Sequence, residues 1–244
     1  MPLAACGVTH PGRRSTNEDA WLVDLDLGLL VVADGMGGHN AGEVASGLAV
    51  KAIRDFVTSS HEPPSGGLLA RAVQYANDQI LSAASQDPEH AGMGTTVVAA
   101  LIVDDKAYYT SVGDSRIYLC HGGQLVRLTR DDSWLSSTYA EAEAAMLADV
   151  GTHPMRHVLT KVVGLNPDLE STAVERTLAA GDCLLLCSDG VHGAVPDALL
   201  TQMLSTRDTV VDIAESVVRS AIDRGASDNA TAVIARLSTD STGS

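Results

Sequence analysis

Apolar positions along the chain change their spacing several times, and the changes mark out its elements. Residues 4–9 (AACGVT) and 20–24 (AWLVD) are short apolar runs on either side of the polar turn PGRRSTNED, and 28–33 (GLLVVA) is an unbroken one, with LDLG as the turn before it. Each predicts a strand. From Gly42 the spacing becomes helical. Val44, Leu48, Ala52 and Phe56 recur every four residues beside Ala45, Ala49 and Ile53, predicting a helix to about Val57 that stops in SSHEPPSGG. A second helix over about 67–85 carries Leu69, Val73, Ala76 and Ile80 on one face.

Strands resume at 95–103 (TTVVAALIV), apolar enough for burial on both faces. KAYYTSVG, SRIYLCHG and GQLVRLT follow at short intervals and predict an antiparallel meander with HGGQ (121–124) as one hairpin turn. Residues 130–160 break this rhythm: TYAEAEAAMLADVG is helical in pattern, with Gly151 as its C-cap, and an insertion between strands predicts a flap over 131–158. DCLLLCSDG predicts a strand ending in Asp-Gly, 208–223 an amphipathic helix, and ATAVIARL a closing strand. With no repeat or linker, the expectation is one domain over 1–237 and a disordered tail over 238–244. Strands, two helices, a meander and then strand–helix–strand is not a βαβ alternation. It predicts an α+β fold of two mostly antiparallel sheets with helices packed outside.

Composition narrows the chemistry. With one Phe and two Trp in 244 residues, the core must be aliphatic. A net charge of −15 argues against nucleic acid and anionic membranes as partners, both of which require a basic footprint. A phosphorylated substrate stays open, because bound divalent cations invert the local field. The four cysteines form no CxxC pair; Cys183 and Cys187 fall on one strand face, and buried free thiols in a reducing compartment are expected. The N-terminal charges follow a short apolar stretch, the reverse of a signal peptide, and no run of about 18 apolar residues exists. A soluble, cytoplasmic protein is expected.

Acidic residues recur where strands meet Gly or Asn turns: NED (17–19), DG (34–35), GDSR (113–116), SDG (188–190) and SDN (227–229). Any one is an ordinary turn. Five of them, placed at strand ends on one edge, gather carboxylates into an acidic pocket that needs divalent counter-charge. An all-oxygen set selects Mg²⁺ or Mn²⁺ over zinc. A pair of such ions holding a bridging hydroxide would provide a nucleophile for in-line attack on phosphorus. Asp34 is the central candidate ligand, and Arg13 and Arg14, just before NED, are candidates to clamp phosphate oxygens.

The segments RRSTNEDA, VVADGMGGHNAGEVAS, GMGTTVVAA, SVGDSRIYL, LTRDDSW, HVLTKVVG, GDCLLLCSDG and ASDNATAVI, in this order over residues 13–234, resemble the metal-dependent Ser/Thr protein phosphatases of the type 2C family, particularly the compact bacterial kind. The resemblance implies an αββα sandwich and a metal centre at one end between the sheets. It implies that Asp34 bridges two core Mn²⁺ or Mg²⁺ ions and that the Gly35 carbonyl joins the second. Asp189 and Asp228 would complete the first shell, and Glu18 would serve the second. By the same resemblance Asp19 orients a metal-bound water, Arg14 binds the phosphate, and Asp114 with Asp189 holds a third ion.

The implied substrates are proteins phosphorylated on serine or threonine, with a eukaryotic-type kinase or its targets as partners and a monomeric enzyme. Two positions depart from the family pattern. Some members carry histidine where this chain has Met36, and a thioether donates no proton to a leaving alkoxide; His39, three residues on, is read as structural. Asp132 stands where the family has histidine in the segment entering the flap. Two other readings are an inactive phosphatase-fold binding domain, which typically lacks metal-binding aspartates that are all present here, and a hydrolase of a small phosphate ester.

Overall fold

The structure is a computed structural model and describes residues 2–37, 41–134 and 158–238. Its elements in order are β1 (Leu3–His10), β2 (Asp19–Asp24), β3 (Leu29–Met36), α1 (Ala41–Ser59), α2 (Gly66–Gln86), β4 (Gly94–Thr95), β5 (Val97–Val103), β6 (Lys106–Val112), β7 (Arg116–His121), β8 (Gln124–Arg127), β9 (Val174–Thr177), β10 (Cys183–Cys187), α3 (Asp189–His192), α4 (Asp197–Leu204), α5 (Val210–Asp223) and β11 (Ala230–Leu237). One sheet runs β1-β11-β10-β7-β8 and the other β2-β3-β5-β6-β9, with β4 on the end of β3. Every pairing among these strands is antiparallel.

Strand alternation separates the apolar side chains into three layers. Leu29, Val31 and Ala33 of β3 and Val97, Ala99 and Leu101 of β5 pack under α1 and α2. Their neighbours Leu30, Val32, Val98 and Ala100 face inward, against Ile117, Leu119, Leu184, Leu186 and Val233 of the other sheet. The outer face of that sheet (Tyr118, Cys120, Cys183, Leu185, Cys187, Ile234) packs on Ile213, Ala214, Val217 and Val218 of α5. The result is the αββα sandwich expected from the sequence. Burial of each large aliphatic side chain contributes roughly 1.5–3 kcal/mol, and aliphatic residues dominate all three layers. Side-chain caps begin two helices: Ser65 Oγ accepts from Leu68 N at the start of α2, and Thr209 Oγ1 from Asp212 N at the start of α5. All four cysteines are free; Cys120, Cys183 and Cys187 are buried and Cys6 half-buried.

Three expectations are corrected. The meander does not stay in one sheet: β5–β6 belongs to one and β7–β8 to the other, and the chain crosses between them at Gly113–Ser115. Gly113 makes the crossing with φ +98, and a Cβ there would stand 2.6 Å from Thr96 Cγ2. Second, β3 continues through Asp34 and Gly35 instead of turning at them, because Gly35 and Met36 pair with Thr95 and Gly94. Third, β9, α3 and α4 were not foreseen. Strand β9 (VERT) is exposed along its whole length and shows no apolar alternation, and α3 and α4 are too short to establish a helical period. The flap expected over 131–158 lies largely outside the described residues, as do its helix, His39 and residues 239–244 of the tail. The described ends of the flap segment meet in a bridge between Ser133 and Leu159, with Trp134 N donating to Val158 O at 2.8 Å. No helix among the described residues is long and apolar enough to cross a membrane.

Candidate metal and phosphate site

At one end of the sandwich the two inner faces part around a cavity of about 940 Å³, lined by Arg14, Glu18, Asp34, Gly35, Asp114, Asp189 and Asp228 among others. Each carboxylate arrives on a different element. Asp34 and Asp19 are direct partners across β3 and β2 and so share a face. Like charges placed opposite one another cost stability unless something compensates them. Asp19 is compensated on one oxygen only. Its Oδ2 accepts from Ser188 Oγ, just past the end of β10, at 2.8 Å and from Thr231 Oγ1, on β11, at 2.6 Å. Its Oδ1 is buried with no hydrogen-bond donor.

Asp34 is held by its backbone. Thr96 Oγ1 accepts from Asp34 N at 3.1 Å, while Thr96 N and Thr95 Oγ1 both donate to Asp34 O at 2.9 Å. The hydroxyl of Thr96 also meets Ser115 Oγ at 2.8 Å, tying β3 to the crossing loop that carries Asp114. Gly35 is required by close approach: a Cβ would lie 2.0 Å from Gly42 O and 2.7 Å from Glu18 O. Glu18 lies over the first turn of α1, where a Cβ on Gly42 would be 2.8 Å from its Cδ, so the helix N-terminus faces a carboxylate. Asp189 opens α3 directly after β10, with Gly190 fitted against Asn229 O.

Two positioning residues, Asn229 and His192, carry no acidic signal and were missed by sequence reasoning. Asn229, buried, accepts from Glu18 N through Oδ1 at 2.7 Å and donates through Nδ2 to Pro11 O and Thr16 O at 2.9 Å each. It pins the loop bearing Arg14 and Glu18 to the loop bearing Asp228. His192 is half-buried; desolvation of its ring lowers its pKa to about 4, so the neutral ring donates from Nε2 to Asp114 O at 3.0 Å. Asp132, at the flap stem, receives Gly113 N on Oδ2 at 3.2 Å and donates its own N to Gly113 O at 2.7 Å. The departure from the family pattern at this position therefore leaves a double link to the crossing loop. Only the SDN spacing hinted at Asn229; nothing in the sequence marked His192.

Burial first, and mutual repulsion second, raise the carboxyl pKa values. Asp34 stands well above its ordinary value, with Asp19, Asp189, Asp114 and Asp228 adding to the effect. Asp114 is raised to about 7 and Asp19 to about 6. Glu18 is raised mainly by burial. Such a set binds either protons or cations. Among the described residues no three His, Cys, Asp or Glu side chains are gathered closely enough to hold a metal ion by themselves; the carboxylates line one open pocket. The all-oxygen donor set and the undonated Asp19 oxygen fit hard ions that keep several waters and take one or two carboxylates each.

Arg14 Nη2 donates to Asp228 Oδ2 at 2.7 Å, with side chains 58% and 38% exposed. An ion pair this open is worth roughly 1 kcal/mol or less, so Arg14 can exchange it for a phosphate. Met36 is exposed on the pocket wall and offers no proton.

The comparisons with known proteins agree with this geometry. The sequence profile described as "Protein phosphatase 2C" matches residues 6–235. The serine/threonine protein phosphatase PstP of Mycobacterium tuberculosis is 35% identical over 225 residues, 91% of this chain. The chain spans 42% of the length of that protein. The serine/threonine phosphatase stp of Listeria innocua is 32% identical over 212 residues, covering 84% of this chain and 83% of that one. A solved structure of the PstP catalytic domain in complex with two manganese ions superposes with a TM-score of 0.84 at 32% identity, over 97% of this chain and 99% of the other. The chain belongs to the protein phosphatase 2C family.

Proposed function

We propose that this chain is a metal-dependent phosphatase of phosphoserine and phosphothreonine in proteins. The observation that carries the reading is the convergence of Glu18, Asp34, Asp114, Asp189 and Asp228 on one pocket with Arg14 at its edge. Asp34, Asp189, Asp228, Glu18 and the Gly35 carbonyl would hold two Mn²⁺ or Mg²⁺ ions, as PstP holds two manganese ions, with Asp114 and Asp189 holding a third. Bound there, the cations supply Lewis-acid polarisation of phosphate and water and offset the repulsion among the carboxylates. Arg14 turns from Asp228 to the phosphate oxygens and fixes the phosphorus for in-line attack. Asp19, hydrogen-bonded on Oδ2 by Ser188 and Thr231, keeps Oδ1 free to orient the attacking water. Because Met36 donates no proton, the leaving alkoxide takes its proton from solvent within the open pocket. The implied partners are phosphorylated proteins, including targets of a eukaryotic-type Ser/Thr kinase, met by a monomer in the cytoplasm.

The test is phosphate release from p-nitrophenyl phosphate and from a phosphothreonine peptide with added Mn²⁺ or Mg²⁺. Turnover that disappears in EDTA, and in Asp34→Ala with the fold retained by circular dichroism, is expected. A folded, Mn²⁺-supplied protein that turns over neither substrate would sink the reading.

A further inference from the structure

The chain carries 31 acidic and 16 basic residues, so most arginines have a carboxylate to pair with. Arg54, Arg71 and Arg116 are paired with Asp24, Glu62 and Asp131. Arg13 and Arg224 are not. Both are exposed, and among the described residues neither guanidinium makes a hydrogen bond or ion pair. They stand together at the mouth of the acidic pocket. Arg224, Gly225 and Ala226 line it, and Arg13 Nη2 lies 3.0 Å from the point a Cβ on Gly225 would occupy.

Their juxtaposition is built into the backbone. The turn closed by Arg14 N donating to Pro11 O places Gly12 at φ +62 directly against Asp228 O, where a Cβ would be 2.0 Å away. The turn bearing Arg13 is thus seated on the 225–228 loop. The pocket is also lined by the apolar residues Val158, Leu159, Val162 and Leu165. Among the described residues lining the pocket, the arginines are Arg14 and Arg224. Arg13 adjoins the phosphate candidate Arg14, and consecutive Cα atoms are about 3.8 Å apart, so the basic lip is within reach of residues one or two positions from the phosphorylated one.

We propose that Arg13 and Arg224 form a second anion subsite that selects phosphoproteins with an acidic group, a carboxylate or a second phosphate, beside the scissile phosphate. The inference rests on the phosphatase reading above. It assigns the two arginines to substrate choice and leaves the phosphorus-facing role with Arg14.

The experiment compares kcat/KM, with Mn²⁺, for phosphothreonine peptides identical except for glutamate, lysine or phosphoserine next to the phosphothreonine. The acidic neighbours are expected to be preferred over lysine by roughly 3- to 10-fold, the range of a solvent-exposed charge contact, with the preference shrinking as salt is added. In Arg13→Ala/Arg224→Ala the ratio should fall to near one, and Arg224→Glu should shift it towards the lysine peptide. Arg207→Ala, an exposed arginine outside the pocket, should keep it. A larger effect for phosphoserine than for glutamate assigns the subsite to a second phosphate, and equal effects assign it to carboxylates. Turnover of p-nitrophenyl phosphate without any flanking-charge preference, or a preference that survives in the double variant, overturns the subsite alone. No turnover on p-nitrophenyl phosphate or on any peptide overturns the phosphatase reading, and the subsite with it.

Discussion

Asp114→Asn is expected to stabilise the metal-free protein at alkaline pH while weakening its response to metal. Burial, with Asp189 and Asp131 nearby, lifts this carboxyl from 3.8 to about 7 in the folded state. Below about pH 3 the group is largely protonated whether the chain is folded or not, and the substitution changes little. As pH rises through about 7 the folded protein must ionise a carboxyl that the unfolded chain ionised three decades earlier. The gap amounts to roughly 4 kcal/mol at about 1.4 kcal/mol per decade. That figure is an upper bound, because water and neighbouring groups relax around the charge.

For a chain of this size each kcal/mol moves the Tm by about 2–4 °C, so in EDTA at pH 8 the variant should melt up to about 8–16 °C above the parent. The advantage should halve near pH 5 and vanish near pH 3. Thermal unfolding followed by circular dichroism across this range is the assay. Added Mn²⁺ should then raise the parent Tm more than that of the variant, since an amide is a poorer partner for the ion. If the asparagine variant is no more stable than the parent in EDTA at pH 8, burial and the neighbouring carboxylates do not penalise the charged form of Asp114.

Three other substitutions separate positioning from chemistry. Arg14→Ala should raise KM for p-nitrophenyl phosphate roughly tenfold with a smaller change in kcat, the pattern of a lost ground-state phosphate contact; an unchanged KM would remove Arg14 from the phosphate site. Asn229→Ala deletes three side-chain hydrogen bonds that join the Glu18 and Asp228 loops. It should cost about 2–4 kcal/mol in urea unfolding and weaken Mn²⁺ binding measured by calorimetry; full affinity in the folded variant would refute its role as a pin. Gly35→Ala places a methyl 2.0 Å from Gly42 O, which must push α1 away from β3. A Tm loss above about 5 °C is expected, whereas a neutral effect would show that the contact is not tight.

The layers of this fold were legible because the strands and long helices carry their burial in their spacing. GLLVVA read as an apolar strand and TTVVAALIV as one buried on both faces; the two became neighbours in one sheet, and the helix at 208–223 was found from its apolar face alone. The carboxylates were legible because each sits close to where an apolar run begins or ends. The illegible parts share a physical cause, namely that their placement is decided by partners distant in sequence. The crossing at Gly113–Ser115 looked like one more hairpin turn because turn residues do not say which sheet receives the next strand. Ser188 and Thr231 are small polar residues beside apolar runs, and only their convergence on Asp19 gives them meaning. His192 lies on a helix of four residues, too short for any period to show.

Asp19 sits on one sheet and receives its two hydrogen bonds from β11 of the other and from the residue just past its β10, so the two halves of the sandwich are riveted together through a residue of the reactive end. A mutational survey that scored only turnover would rank Asp19 among the chemical residues, and one that scored only abundance would rank it with the core. On the role proposed for Oδ1, both rankings describe one carboxylate. Redesign of this scaffold towards another chemistry would have to replace the rivet before it could release the acid.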